Sequence, residues 1–420
     1  MTPSLRVLMV SDVSPTRILG GAERVLWEQA SRLVRRGHAV QILSRCPAGG
    51  AAAAIEQQGV GIRHFSPDRR SLLRFLLSSI LQARRAVARL LSEAGWEILH
   101  LYQPFSGFGA LHARRAKGLP SLYTFLSPAP LEYLSRHGMT QHHRAGLVGR
   151  AVQLMLRRIE RSCLLRATRI HVLSDFSATQ LRELYGISAG RIVKVPGGAD
   201  IQRFQPAPDR QSVRKDLGLP TDSPVLLTVR NLEARMGLDT LIRAMATLSQ
   251  HSPGVVLLIG GAGSQQETLE SLSVSLGLQE TIRFLGYIPE TDLPRYYQAA
   301  DLFVLPTREL EGFGLTTVEA LACGTPVLGT AVGATPEILL GLDASLVLRD
   351  GSPEAMAEAI RRLLEAIGRD PSASLRWRQA CRRHVESHYA WDACVSRLEA
   401  VLQDLRSAEG RWIADGGLPR

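Results

Sequence analysis

Two carboxylates eight residues apart, Glu311 and Glu319, lie in the run E-G-F-G-L-T-T-V-E-A-L-A-C-G-T-P-V-L-G over residues 311–329. Carboxylates accept hydrogen bonds from hydroxyl groups. The glycines between them, Gly312 and Gly314, tolerate positive φ and let a ligand approach the backbone. The preceding D-L-F-V-L-P, residues 301–306, is a short apolar run closed by proline and reads as a buried parallel strand. A helix is expected to begin near Thr316, with its unpaired N–H groups facing the mouth of that strand, where anions bind in open α/β sheets. An anion-binding helix end beside two hydroxyl acceptors suits a ligand that is part phosphate and part sugar. A bare pair at this spacing would have a plainer explanation: an acid favoured by the dipole in a first helical turn, and a surface glutamate. The glycines, and the A-L-A-C-G-T-P-V that follows, favour the ligand.

The elements that must position these groups alternate strand and helix, which implies right-handed crossovers and parallel sheets in an α/β chain. Strands are predicted at residues 6–10, 39–43, 97–101, 121–125 and 169–173, with a helix after Gly20–Gly21 and another from about Ser177. K-V-P-G-G-A-D-I-Q-R-F-Q-P-A-P, residues 194–208, is a Pro/Gly-rich connection and the expected hinge. A second series follows, with strands at 225–229, 255–259, 282–285 and 302–305, a helix from Leu238 and a glycine loop at Gly260–Gly263. Helices are expected at 353–366 and 374–403, and residues 407–420 have little periodicity. A chain of 420 residues has room for two ordinary domains. The expected division is 1–200, 201–385, and 386–420 as a C-terminal helix and tail.

The charge is uneven. Residues 1–200 carry 28 Lys/Arg against 12 Asp/Glu, and residues 201–420 carry 22 against 27. Lysine occurs only at positions 117, 194 and 215, so the basic charge is nearly all arginine. Two segments concentrate it, residues 69–91 with Arg69, Arg70, Arg74, Arg84 and Arg85, and residues 143–166 with Arg150, Arg157 and Arg158. Both repeat apolar residues at helical spacing, with arginine on one face and Leu/Val/Ile on the other. Such helices suit an anionic membrane surface, though each alone could be a core-packed helix with a solvated basic face. Nucleic acid is not expected, because aromatics are scarce and no recognition motif is present. No opening signal segment or spanning stretch is read, and the five cysteines lack metal-ligand spacing. The expected location is the cytoplasm, peripheral on the inner face of the cell membrane.

The order of motifs resembles the GT-B glycosyltransferases, in particular the large retaining family 4. The shared features are the diglycine Gly20–Gly21, the hinge P-G-G-A-D-x-x-x-F, a basic segment at 229–242, F-L-G-Y-I-P, and E-x7-E. The resemblance implies two Rossmann-like domains facing across a cleft, with the last helix, near Trp391 and Asp392, returning to the first. It implies metal-independent transfer of a sugar from a nucleoside-diphosphate sugar, with no further cofactor, to a glycan or lipid-linked acceptor. Glu319 is then expected at the ribose, with Glu311 and the N–H groups of Phe313, Gly314 and Leu315 at the sugar. Gly286 and Tyr287 fall near the base, with Gly20, Gly21 and Gly312 as further donor contacts.

The sequence departs from the family pattern at three places. In R-L-x-x-x-K-G the arginine position is Asn231 and the lysine position Met236, so the diphosphate is assigned to Arg235 with Arg230 as its helper. A histidine that relatives carry after the fourth strand is Leu126, leaving Ser127 or His100 to supply a polar contact, or none. These departures keep two alternatives open, a GT-B nucleotide-sugar epimerase and a non-catalytic nucleotide- or glycan-binding relative.

Overall fold

The structure is a computed structural model that describes residues 3–47, 54–136, 146–252 and 254–414. The chain forms two compact units. One holds Met1–Leu134 and Gln141–Pro196 together with the segment from Asp392 onward, and the other is chiefly Gly197–Trp391.

The first unit is built on an eight-stranded sheet. Its strands are β1 (Arg6–Ser11), β2 (Ala39–Arg45), β3 (Ile55–Gln57), β4 (Val60–Phe65), β5 (Ile98–Leu101), β6 (Ser121–Phe125), β7 (Arg169–Val172) and β8 (Ile192–Lys194). They are arranged 3-4-2-1-5-6-7-8, and only the edge strand β3 runs antiparallel. Central strands such as β5 and β6 are buried along their whole length, because helices cover both faces, and this is why they read as continuous apolar runs. The helices Leu72–Glu93, Pro104–Leu111 and Leu147–Arg166 pack side by side. Ala83, Val87, Ala110, Cys163 and Leu164 from these helices join Leu8, Val10, Leu99 and Tyr123 in one core.

The last helix, Trp391–Ala414, belongs to the first unit from Asp392 onward. Val395, Leu398, Leu402 and Leu405 are its buried face. Arg36 donates to the Asp392 carbonyl (2.7 Å) and pairs with Glu399 (3.1 Å), while Arg406 reaches the Ser4 carbonyl (3.2 Å). The single helix expected at 374–403 is two, Pro371–His388 and Trp391–Ala414. The break is at Ala390, which bridges to Ala199 of the connection after β8. The helix continues through residues 407–414 despite their little periodicity, and 415–420 lie outside the described residues.

The second unit has six parallel strands: β9 (Val225–Val229), β10 (Val256–Gly260), β11 (Ile282–Gly286), β12 (Leu302–Leu305), β13 (Val327–Thr330) and β14 (Val347–Leu348). Their order is 11-10-9-12-13-14. The chain runs outward from β9 to β11, then restarts at β12 on the other side of β9. The C-terminal ends of β9 and β12 therefore flank a topological switch point, the place where open α/β sheets bind ligands. The expected fold class is the one observed, two Rossmann-like α/β domains with a C-terminal helix returned to the first.

Candidate functional site at the β9–β12 switch point

Arg230 is the first residue beyond β9, fixed by its N–H to the Gly260 carbonyl (2.9 Å). Its side chain turns toward the loop after β12, donating from Nη1 to Thr307 Oγ1 (2.7 Å) and from Nη2 to Glu311 Oε2 (2.6 Å). The pair is nearly enclosed, with side-chain exposures of 7% and 10%. A charge-assisted pair in so dry a setting holds its geometry far better than one at the surface. Beyond Arg230 the chain makes a 3-10 turn, Ala234–Met236, which ends at Gly237 in the left-handed region before the helix Leu238–His251. Asn231 is exposed and Met236 is buried in the core. Arg235 donates from Nη1 to the Leu310 carbonyl (3.2 Å). Both arginines are thus gathered against the loop that follows β12.

That loop is held on every side. Thr307 is buried, and its carbonyl accepts from Thr330 Oγ1 of β13 (2.5 Å). Leu310 takes φ 61, a left-handed value that leucine rarely adopts. The Glu311 carbonyl accepts the Ala334 N–H (2.9 Å). Gly333, at φ 61, must be glycine, since a Cβ there would lie 2.1 Å from the Glu311 oxygen. Of the two glycines that tolerate positive φ, Gly314 takes it (φ 92) and Gly312 does not, while the non-glycine Leu310 does.

Gly314 is the N-cap of the helix Leu315–Ala322, which has no side-chain cap; its carbonyl accepts from the N–H groups of Thr317 (3.0 Å) and Val318 (3.4 Å). Glu319 lies one turn in, buried, accepting from Tyr297 OH (3.1 Å). Phe313 is buried with its ring 5.8 Å from that of Tyr389, and Gly314 and Leu315 are buried beside it. At the end of β11, Gly286 takes φ 64 and Tyr287 is exposed. The glycine loop 260–263 is a packing device. Gly261 is pressed on the Arg230 carbonyl, where a Cβ would come within 1.8 Å.

Sequence reasoning missed Thr307, Leu310, Gly333 and Tyr297. Only Gly333 left a signal, as the glycine in A-V-G-A-T-P-E at residues 331–337. A lone threonine or tyrosine carries no motif.

In the first unit Gly20 is the extended residue before the helix Gly21–Arg35, again without a side-chain cap. His100 is not placed to offer a contact to a sugar. It is fully buried, bonded through Nε2 to Thr124 Oγ1 (2.7 Å) and through Nδ1 to Tyr102 OH (3.2 Å). Thr124 in turn meets His171 Nδ1 (2.9 Å), and His171 Nε2 meets the Val195 carbonyl (2.9 Å). A carbonyl only accepts, so His171 carries its proton on Nε2, Thr124 donates to His171, and His100 donates to Thr124. Burial pushes His100 well below the ordinary histidine value and His171 down to about 4. Leu126 and Ser127 are half-buried at the end of β6. Beside them Glu160, pushed up to about 8 by burial, accepts from the Ala129 N–H (3.1 Å) and from Tyr185 OH.

The two basic segments are helical, Leu72–Glu93 and Leu147–Arg166, with His143, Arg144 and Ala145 outside the described residues. Arg69 donates to the Cys46 carbonyl (2.8 Å), Arg70 pairs with Asp68 (2.6 Å), and Arg74 lies 4.0 Å from the same carboxylate. The bond from Arg70 holds the Asp68 carboxyl down to about 2. Arg157 donates to the Leu184 carbonyl (2.8 Å). Arg84, Arg85, Arg150 and Arg158 are exposed. The outer faces are not purely basic as expected, because Leu77, Leu81, Leu154 and Leu165 are about half exposed among the arginines (54, 48, 50 and 46%). No described helix is long and apolar enough to cross a membrane, and all five cysteines are buried and outside any disulfide.

The model of Glycosyltransferase Family 4 matches residues 19–203, and that of Glycosyl transferases group 1 matches residues 209–383. The D-inositol 3-phosphate glycosyltransferase of Actinosynnema mirum is 30% identical over 408 residues, spanning 92% of this chain and 93% of that one. Among solved structures, sucrose-phosphate synthase from Thermosynechococcus elongatus superposes with a TM-score of 0.82 at 24% identity, covering 96% of this chain and 100% of that one. Anabaena HepE in complex with UDP-glucose gives 0.74 at 19% identity, covering 95% and 100%. With the family model matched in both halves and a relative of this identity along nearly the whole length, the chain belongs to the family 4, group 1 glycosyltransferases, enzymes of the EC 2.4 class.

Proposed function

We propose that the second unit binds a nucleoside-diphosphate sugar at the β9–β12 switch point and that the enzyme transfers the sugar with retention, without a metal. The observation that carries this reading is the convergence of Arg230, Arg235 and Glu311 beside the uncapped helix start at Gly314. Arg235, helped by Arg230, holds the diphosphate. The N–H groups of Phe313, Gly314 and Leu315 and the carboxylate of Glu311 hold the sugar, and Glu319 holds the ribose. Gly286 and Tyr287 border the base. As the glycosidic bond breaks, positive charge grows on an oxocarbenium-like sugar and negative charge on the departing diphosphate. Fixed guanidinium groups and helix-end N–H groups stabilise that anion more than the bound donor, which lowers the barrier. The acceptor hydroxyl attacks the face the leaving group vacates and passes its proton to a phosphate oxygen. No opposed carboxylate pair is needed, unlike in glycosidases.

The acceptor is a glycan or lipid-linked saccharide, met at an anionic membrane surface. The interleaved leucines and arginines of the helices Leu72–Glu93 and Leu147–Arg166 support that reading. A phosphorylated cyclitol is the second acceptor reading, favoured by the name of the Actinosynnema relative. The test is product analysis with UDP-glucose and GDP-mannose against both acceptor classes, with and without EDTA. Acceptor-dependent release of the nucleoside diphosphate, with the donor's anomeric configuration kept and no loss in EDTA, is expected. An inverted product, or activity abolished by EDTA and restored by a divalent ion, would overturn it.

A further inference from the structure

Thr307 stands between the two charged groups of the site. Its Oγ1 lies 2.7 Å from Arg230 Nη1 and 3.0 Å from Glu311 Oε2, and Arg230 Nη2 lies 2.6 Å from the same carboxylate oxygen. The protons can be placed by elimination. A guanidinium only donates, so the threonine oxygen accepts from Arg230, and its single hydroxyl proton is left to point at Oε2. Oε2 then receives two donors, while none among the described residues reaches Oε1. The hydroxyl itself cannot wander, because the Thr307 side chain is buried and its backbone is tied to Thr330.

We propose that Thr307 is a positioning residue for glycosyl transfer: its hydroxyl decides which oxygen of Glu311 is engaged by protein and which is presented to a sugar hydroxyl. This rests on the assignment of Glu311 to the sugar. A glutamate carboxylate turns freely about its last bond, and a single contact from Arg230 would leave it to rock. The second donor on the same oxygen removes that freedom. Glu311 follows a left-handed leucine, and its backbone is tied through the Ala334 N–H, but its carboxylate is held only by the side chains of Arg230 and Thr307 among the described residues. Arg230 keeps three further N–H groups for other partners, so the arrangement does not use up the cation.

The proposal is tested by calorimetric titration of UDP, GDP, ADP and TDP, each with its glucose and mannose conjugates. Thr307→Val keeps the shape and removes the hydroxyl. For whichever base binds, the gain in affinity from the attached sugar is expected to fall about tenfold in T307V, the scale of a lost charge-assisted hydrogen bond. The bare diphosphate should bind as in the wild type, T307S should restore the sugar's contribution, and T307V should change nothing further in an E311Q background. Should T307V fail to fold, T307A takes its place with the same expectation. A T307V protein with the full sugar contribution, a T307S protein as impaired as T307V, or an additive loss in E311Q would overturn the role of Thr307. If E311Q itself leaves the sugar contribution intact, or no conjugate outbinds its bare diphosphate in the wild type, the assignment of Glu311 fails, and this proposal with it.

Discussion

Glu311 is fixed through its carboxylate by Arg230 and Thr307, through its carbonyl by Ala334, and through the preceding carbonyl by Arg235. Such fixing is what electrostatic catalysis requires, since a group already aimed need not reorganise as charge develops. Glu311→Gln and Arg235→Ala are each expected to lower turnover by about 10² or more, the scale of one lost transition-state contact. Steady-state kinetics checks both, and near wild-type turnover for Arg235→Ala would remove arginine from the diphosphate. Gly333→Ala should destabilise the second unit by about 1–3 kcal/mol, because alanine must hold φ 61 against the Glu311 oxygen. A urea midpoint equal to the wild type would contradict this. At this scale the charged residues stand out in the sequence only within their motif, since a bare acid pair or two arginines after a strand have plainer explanations. Thr307 does not stand out, since a threonine after a strand is ordinary until the arginine beside it is seen.

At the scale of elements, buried parallel strands such as β1, β9 and β12 were read correctly, because burial on both faces makes them uninterrupted apolar runs. The strands that escaped lack that mark. β4, V-G-I-R-H-F, mixes glycine and charge with its apolar residues, β8 and β14 are two or three residues long, and β13 contains a glycine. The break at Ala390 was hidden because apolar residues keep helical spacing across it. The outer faces of the two basic helices were legible in charge but not in their exposed leucines, which require the packing to be known. Docking on anionic lipid predicts that Arg84→Gln with Arg85→Gln weakens sedimentation with anionic vesicles about tenfold or more, at roughly 1 kcal/mol per arginine. Leu77→Gln with Leu81→Gln should weaken it as well. Equal binding to anionic and neutral vesicles would argue against docking.

At the scale of the whole molecule, buried groups of the first unit set a pH dependence that opposes itself. Unfolding below about pH 6.5 lets His100 and His171 take up protons that burial denies them, so stability falls as pH falls towards 4. Glu160 is protonated in the fold up to about 8 and ionises above 4.5 when unfolded, so its contribution falls as pH rises through that range. Two histidines outweigh one carboxyl below pH 6.5, and the carboxyl acts alone among the three above it. Stability of the first unit should therefore peak near pH 6.5, each group contributing at most about 1.36 kcal/mol per pH unit. Urea unfolding at pH 5.5, 6.5 and 7.5 checks this, with Glu160→Gln expected to flatten the upper limb. A monotonic rise through pH 7.5 in the wild type would contradict it. The two-unit organisation was legible from the repeated strand–helix series and the glycine-rich connection between them. The central claim, that the second unit holds a nucleotide sugar at Arg235, Glu311 and Glu319, is tested most directly by thermal unfolding with UDP, GDP, ADP and TDP. One diphosphate should stabilise the wild type, by about 2.7 kcal/mol at a hundredfold excess over its Kd, and should lose that effect in Arg235→Ala and weaken in Glu319→Gln. Stabilisation by none of the four, or a shift that survives both substitutions, would contradict it.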